Sequence, residues 1–313
     1  MFQNLRRVGV AALLTAMIAT TAFAQENSRK KFVISGPADK VLLRHSEPSA
    51  PKGGIKRAIV IAVSDLNDKV QPPLPFAEND ARRLIETLYN DGFVIYPVCE
   101  KSVPTPKGKR VKPIVEPTKE NIEKTVEDVL KTVGKNDVLF VYFSGHGLNR
   151  GGDSMLFAKN SSSEDDEIET SCVSVAKLRK MIADREKEVQ KAQEGEVEPR
   201  CVLAIDACHA GTTRSAYAEL EDFIPGGAPG VATLASCSLE EESLGWTPIV
   251  VDPNDVADGG KDRDVSVFTY WLNLGMKGFA DGALAELEEG REANGKIESD
   301  ELYMFVHDNV RMG

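Results

Sequence analysis

Two short stretches end an apolar run with a residue capable of nucleophilic or acid–base chemistry. In Arg200-Cys201-Val202-Leu203-Ala204-Ile205-Asp206-Ala207-Cys208-His209-Ala210-Gly211, a β-branched run turns abruptly small and polar. In Asp137-Val138-Leu139-Phe140-Val141-Tyr142-Phe143-Ser144-Gly145-His146-Gly147, the same design ends in a histidine between two glycines. Such short apolar runs suit buried strands, and their C-terminal ends are where open α/β sheets place a ligand crevice. Ala207 and Ala210 leave the Cys208 thiol uncovered, and Gly145 and Gly147 permit close approach of a ligand to the backbone around His146. A thiol becomes an effective nucleophile when a base takes its proton, and the two partners meet in space rather than in sequence. Cys208 and His146 are therefore the expected nucleophile and general acid/base. Taken singly, Cys208 would read as a small buried hydrophobe and His146 as a structural histidine; the pairing at matched strand ends carries the reading. His209 adjoins Cys208, but successive side chains on extended backbone point opposite ways, which disfavours it as the base.

These motifs resemble those of the caspase-like cysteine peptidases, a group that includes caspases, metacaspases, paracaspases and bacterial relatives. The residues that carry the likeness are Tyr142-Phe143-Ser144-Gly145-His146-Gly147 and Asp206-Ala207-Cys208-His209-Ala210-Gly211. The histidine lies 62 residues before the cysteine, against about 50 in caspases. Thr233-Leu234-Ala235-Ser236-Cys237-Ser238 with Glu241-Glu242-Ser243, and Ser266-Val267-Phe268-Thr269-Tyr270-Trp271-Leu272, are similar to the strand, loop and helix that follow the catalytic cysteine. The resemblance thus runs over residues 55–312, closer to bacterial caspase-like proteins than to eukaryotic metacaspases. It implies an α/β caspase-like fold with a mostly parallel central sheet flanked by helices on both faces. It also implies peptide hydrolysis through a thioester, with the oxyanion held by the backbone N–H groups of Cys208 and Gly147; one such donor is worth ~3 kcal/mol.

The resemblance also speaks to specificity. Caspases carry glutamine two residues before the cysteine, metacaspases an acid, and this chain has Asp206. Ser144 and Asp80 occupy two further positions similar to the metacaspase S1 pocket. Two carboxylates there would repel an acidic P1 side chain and favour a cation, arginine over lysine because its fork bonds carboxylates bidentately. The plainer alternative for Asp80 is a helix N-terminal charge. Many metacaspases have an Asp-rich segment after the histidine that supports calcium activation. Here residues 160–168 bring Glu164, Asp165, Asp166 and Glu167, but at a spacing that matches poorly; a solvated loop is expected, no cofactor is required, and calcium is the one metal left open. Self-cleavage at Arg214, six residues past Cys208, is a further expectation.

The elements that must position these residues follow from the rest of the chain. Residues 57–63 form a continuous apolar strand, as a buried parallel sheet requires. Residues 76–89 have helical periodicity, with Ala81, Leu84, Ile85 and Leu88 on one face, and residues 93–98 form the next strand. Thr118 is placed to cap a helix over 119–133, ahead of the histidine strand at 138–143. A Gly-rich turn at 149–153 and a short strand at 154–158 follow, then a charged amphipathic helix over 174–192 and the cysteine strand. Residues 230–237 read as another strand, and 265–277 and 299–310 as helices. Strands alternating with helices indicate a parallel α/β sheet.

The chain has 313 residues, with 42% hydrophobic and 28% charged, enough for a sizeable core and a soluble surface. Its net charge of −11 argues against nucleic acid, which is bound through clustered Lys and Arg. Residues 1–24 read as a signal peptide, with Arg6 and Arg7 before an apolar run and Ala22-Phe23-Ala24 as the cleavage site; the run is short for a membrane anchor. Residues 25–54, rich in proline, read as an arm or pro-segment before a peptidase domain at 55–313. An exported protein, periplasmic or secreted and free of the membrane after cleavage, is expected. Its partners would be peptide or protein substrates, and a monomer is favoured. Five cysteines leave at least one unpaired, and Cys208 is the choice. Cys99, Cys172, Cys201 and Cys237 could form two disulfides in three ways or none; the reduced form is favoured, since the last two lie in strand-like runs where buried free cysteines are common. The main alternative is a catalytically silent caspase-like binding module. Hydrolysis or transfer of a non-peptide acyl group is another; a thiol redox protein is disfavoured because no Cys-x-x-Cys accompanies Cys208.

Overall fold

The sheet begins with β1 (Lys56–Ala62), whose alternate residues face two separate cores. Ile59, Ile61 and Val63 face one and Ala58, Val60 and Ala62 the other, all at most 1% exposed, the period-two division of a strand buried on both sides. This computed structural model describes residues 54–68, 71–191, 201–208, 232–236, 245–246, 265–285 and 292–312. The expected signal peptide, nearly all of the expected arm, His209, Arg214 and Cys237 lie outside the described residues.

After β1 come α1 (Pro75–Asn90), β2 (Val94–Val98), α2 (Lys119–Leu130) and β3 (Val138–Ser144). A hairpin of β4 (Gly147–Arg150) and β5 (Asp153–Leu156) follows, then α3 (Ile168–Ser171), β6 (Val173–Ser174), α4 (Val175–Lys191) and β7 (Cys201–Asp206). The chain continues with β8 (Ala232–Ala235), β9 (Gly245–Trp246), β10 (Val265–Ser266), α5 (Val267–Leu274), a π turn at Gly275–Phe279 and α6 (Ser299–Met312). The central sheet has five strands in the order β2-β1-β3-β7-β8, and every neighbouring pair is parallel. Numbered by their order along the chain, these strands run 2-1-3-4-5, with a topological switch point between β1 and β3.

Helices cover both faces, as the resemblance implied. Ile122 and Val126 of α2 and Leu178 and Ile182 of α4 pack on the Ile59–Ile61 side. Leu84 and Leu88 of α1, Phe268 and Leu272 of α5 and Leu302 of α6 pack on the Ala58–Val60 side. Thr118 caps α2 as expected, accepting from the Asn121 N–H at 3.3 Å.

Two regions differ from the sequence expectation. Residues 147–156 are a two-stranded hairpin rather than a turn followed by one strand. Gly151 and Gly152 take φ of 62° and 87°, the positive-φ pair that a tight hairpin turn requires. Residues 265–277 are not one helix. Val265 and Ser266 pair with β9, Ser266 caps α5 by accepting from the Thr269 N–H at 2.9 Å, and the helix breaks at Gly278, with φ 110°. Among the described residues no helix is long and apolar enough to cross a membrane. Cys99, Cys172, Cys201 and Cys208 are all free thiols.

Candidate active site

Strand register brings the two motifs together. Ala62 pairs with Ser144, and Ser144 with Asp206, in one row across the C-terminal edge of the sheet. The pairing continues past that row, with the Val63 N–H donating to the Ser144 carbonyl at 2.9 Å and the Gly145 N–H to the Asp206 carbonyl at 3.1 Å. His146 and Cys208 each lie two residues beyond the row, on neighbouring strands about 4.8 Å apart. Both are half-buried. Gly147 is pressed against the cysteine turn: a Cβ there would meet the Cys208 carbonyl oxygen at 2.6 Å and the Ala207 Cβ at 3.0 Å. Only glycine lets these two backbones approach so closely, and they are the pair the resemblance assigned to the oxyanion.

Both motif backbones are held from outside. The hairpin fixes His146, whose carbonyl accepts from the Phe157 N–H at 3.0 Å. Ser236, just past β8, donates its N–H to the Ile205 carbonyl at 2.9 Å, and its hydroxyl bridges the N–H and carbonyl of Ala207, each at 3.2 Å. The imidazole is oriented by Pro72, whose carbonyl oxygen lies 2.7 Å from Nε2. A carbonyl only accepts, so Nε2 carries the hydrogen and Nδ1 is the ring nitrogen left to take a proton. Sequence reasoning missed Pro72 because its contribution is a backbone carbonyl, which no side-chain pattern announces.

Beneath the dyad, the expected pocket residues gather in one buried network. Asp80, on α1, is 0% exposed, Ser144 0% and Asp206 2%. Asp80 Oδ1 accepts from the Ser266 N–H at 3.1 Å, and the Ser144 hydroxyl lies 3.5 Å from Asp80 Oδ2. Asp206 Oδ2 accepts short hydrogen bonds from the Ser266 hydroxyl and, at 2.5 Å, from the Thr269 hydroxyl. Tyr142 and Thr269 share a hydrogen bond of 2.5 Å between their hydroxyl oxygens. Because Thr269 gives its hydrogen to Asp206, Tyr142 is the donor in that pair. Burial and then the Asp206 charge hold the Asp80 carboxyl well above the usual carboxylate range, so Asp80 tends to keep its proton beside the Asp206 charge. Asp80 is thus not an exposed helix-end charge. Ser266 and Thr269 were missed, although a serine directly before an apolar helical run is a readable cap.

The acidic segment after the histidine is engaged with protein groups. Asp165 pairs with Arg150 at 2.6 Å, and the Ser163 N–H donates to Asp68 at 2.9 Å. Among the described residues no cluster of three or more His, Cys, Asp or Glu side chains could hold a metal ion. His307, on α6, lies 3.0 Å from Asp308 and takes no part in the site.

Residues 55–305 match the sequence profile of the caspase domain. Among solved structures, the chain is similar to caspase-1 from Spodoptera frugiperda, at 15% identity and a TM-score of 0.49, covering 82% of this chain and 76% of that one. It is also similar to pro-sf-caspase-1, at 13% identity and a TM-score of 0.45, covering 83% and 78%. No curated protein matches the sequence.

Proposed function

The chain belongs to the caspase domain family of cysteine peptidases, and on that premise we propose that it cuts peptide bonds after arginine or lysine with a Cys208–His146 dyad. The carrying observation is the shared row geometry. The strands that set His146 and Cys208 side by side also hold Ser144 and Asp206 in register two residues earlier, with Asp80 against the same cap.

His146 Nδ1 takes the thiol proton, and the Cys208 sulfur attacks the carbonyl carbon of the P1 residue. The negative oxygen of the tetrahedral intermediate is met by the N–H groups of Cys208 and Gly147. As the intermediate collapses, His146 gives its proton to the departing amine, leaving a thioester. Water, deprotonated by the same imidazole, then hydrolyses the thioester and frees the thiol. No step passes through a metal or cofactor. Below the reacting carbonyl, a P1 guanidinium exchanges the Ser266 and Thr269 hydroxyls on Asp206 for stronger charge-assisted bonds, and its charge favours the ionised form of Asp80. The same activity would act on the chain's own Arg214, in a protein exported by its first 24 residues.

Fluorogenic peptides differing only at P1 (Arg, Lys, Asp, Leu) test the reading on the wild type and on Cys208→Ala, with and without calcium. Cleavage of the Arg and Lys peptides that disappears in the variant supports it. Cleavage of the Asp peptide in preference to Arg would refute the pocket. An inert protein whose Cys208 also resists alkylation would leave the silent binding module in its place.

A further inference from the structure

A cleft of about 520 Å³ opens over the C-terminal ends of β1 and β2. It lies on the β2 side of the switch point between β1 and β3. Its floor is built. Ser64, 8% exposed, donates its hydroxyl to Glu78 Oε1 at 3.0 Å, and Ser102 reaches both oxygens of that carboxylate at 3.4 Å. These hydroxyls fix the carboxylate without adding charge. Leu66, Pro73 and Pro75 supply apolar wall, and Asp65 and Glu100 add two more acids. Among the described residues lining the cleft, the one basic side chain, Lys159, is held by Glu100 at 2.9 Å and Glu116 at 2.6 Å. Apolar walls around a fixed carboxylate suit a long cationic side chain, which lays its methylene stem on apolar surface and its charge on the acid.

Position decides which part of a peptide would enter. Ser64 lies two residues past Ala62, as His146 lies two past Ser144 and Cys208 two past Asp206. Cysteine, histidine and cleft floor are therefore successive steps across the sheet edge, each about 4.8 Å. The cleft is on the far side of the histidine from the cysteine, and its wall residue Pro73 directly follows Pro72, the partner of the imidazole. The sulfur keeps the acyl half of the substrate, while His146 protonates the amine half, which leaves on its own side. An extended peptide advances about 3.4 Å per residue, so two strand steps of about 4.8 Å, roughly 10 Å in all, span about three residues.

Resting on the peptidase reading above, we propose that this cleft is a primed-side subsite that takes a lysine or arginine side chain two or three residues after the scissile bond. The natural substrate is then basic on both sides of the cut. Internally quenched peptides with Arg at P1 and Lys, Ala or Glu at each of P2′ and P3′ test it on the full chain. The expected kcat/KM order at one of these positions is Lys, Ala, Glu, with Lys over Glu about tenfold, or ~1.4 kcal/mol. Glu78→Gln narrows that ratio below about threefold, and Ser102→Lys, at an exposed position, reverses it. Binding of the same peptides to Cys208→Ala, followed by fluorescence anisotropy, gives the same order without turnover. Equal values for all three residues at both positions, or a lysine preference unchanged in both variants, overturns the subsite. If no peptide is cut, the peptidase reading fails while the anisotropy series still decides the cleft. If cleavage follows another residue type, the P1 reading fails and the series is run with that residue at P1.

Discussion

Asp80→Asn is expected to stabilise the protein while weakening its selection of a basic P1 residue. The Asp80 carboxyl is fully buried and holds its proton well above the usual range, first because burial penalises the charge and second because Asp206 is close. Above the ordinary aspartate pKa of about 3.9, the unfolded chain has lost a proton that the folded chain keeps. Stability therefore falls as pH rises, by about 1.4 kcal/mol per unit, until the raised folded value is passed; the contribution is complete only below the unfolded pKa. Asparagine has no such proton, and its amide oxygen still accepts from the Ser266 N–H that now serves Asp80 Oδ1. The advantage of the variant should thus grow by ~1.4 kcal/mol per pH unit, or ~3–5 °C in Tm for a domain of this size. Thermal melts at pH 4.5, 5.5 and 6.5, on a Cys208→Ala background that prevents self-cleavage, read this directly. In turnover, a P1 cation selects the ionised Asp80, so KM for Arg peptides in the wild type falls as pH rises. Asp80→Asn removes that trend and lowers kcat/KM about 10²-fold, the scale of a lost partner in a buried charge pair. Glu186 provides the control: it is buried against Cys201 at the opposite end of β7, and burial raises it to about 7. Glu186→Gln should shift the melts with pH but leave P1 selectivity alone. Parallel melting curves for wild type and Asp80→Asn refute the argument from the retained Asp80 proton, and unchanged selectivity in Asp80→Asn refutes the pocket.

Gly147→Ala should lower kcat at least 10²-fold, because the new Cβ meets the Cys208 carbonyl at 2.6 Å and the two oxyanion backbones must part; Gly134→Ala, whose nearest contact is 3.6 Å, is the tolerant comparison, and equal kcat in both would refute the close approach. Brief iodoacetamide treatment near pH 8 should label Cys208 before the other described thiols. Burial pushes Cys99 up to about 12 and raises Cys172 and Cys201, so peptide mapping that finds Cys99 or Cys172 labelled first would count against Cys208 as the reactive thiol.

The strands that carry the dyad were legible because they are buried on both faces. β1, β3 and β7 read as unbroken apolar runs, and each ends in an abrupt change of residue type at the edge of the sheet. β4 was not legible, since Gly147–Arg150 is short, largely half-exposed and without apolar alternation; it exists because β5 pairs with it. The start of α5 was misread for a related reason. Val265 and Ser266 have strand partners in β9, a long-range pairing that local periodicity cannot register. The site residues divide the same way. Cys208, His146 and Asp206 announce themselves by type and place, whereas Ser266 and Thr269 matter only because the fold sets them on Asp206, 60 and 63 residues away in sequence.

That division has a physical consequence for how the site can fail. The pairing of Ser144 with Asp206 is a single register contact, yet it sets the step at which His146 meets Cys208 and the row in which the acid stands below them. A slip of one residue between parallel strands sends every side chain to the opposite face, so catalysis and specificity cannot be lost separately by mispairing. They can be lost separately by substitution. The dyad is held through backbone contacts from Phe157, Ser236 and Pro72, while the acids are held through hydroxyls of β10 and α5. A change such as Ser266→Ala strips one hydroxyl from Asp206 and the cap from α5, at a stability loss of about 1 kcal/mol, and leaves every backbone contact of His146 and Cys208 in place. On the proposed mechanism, selectivity is therefore the property free to drift on this scaffold, with the proposed nucleophile and base fixed by the sheet itself.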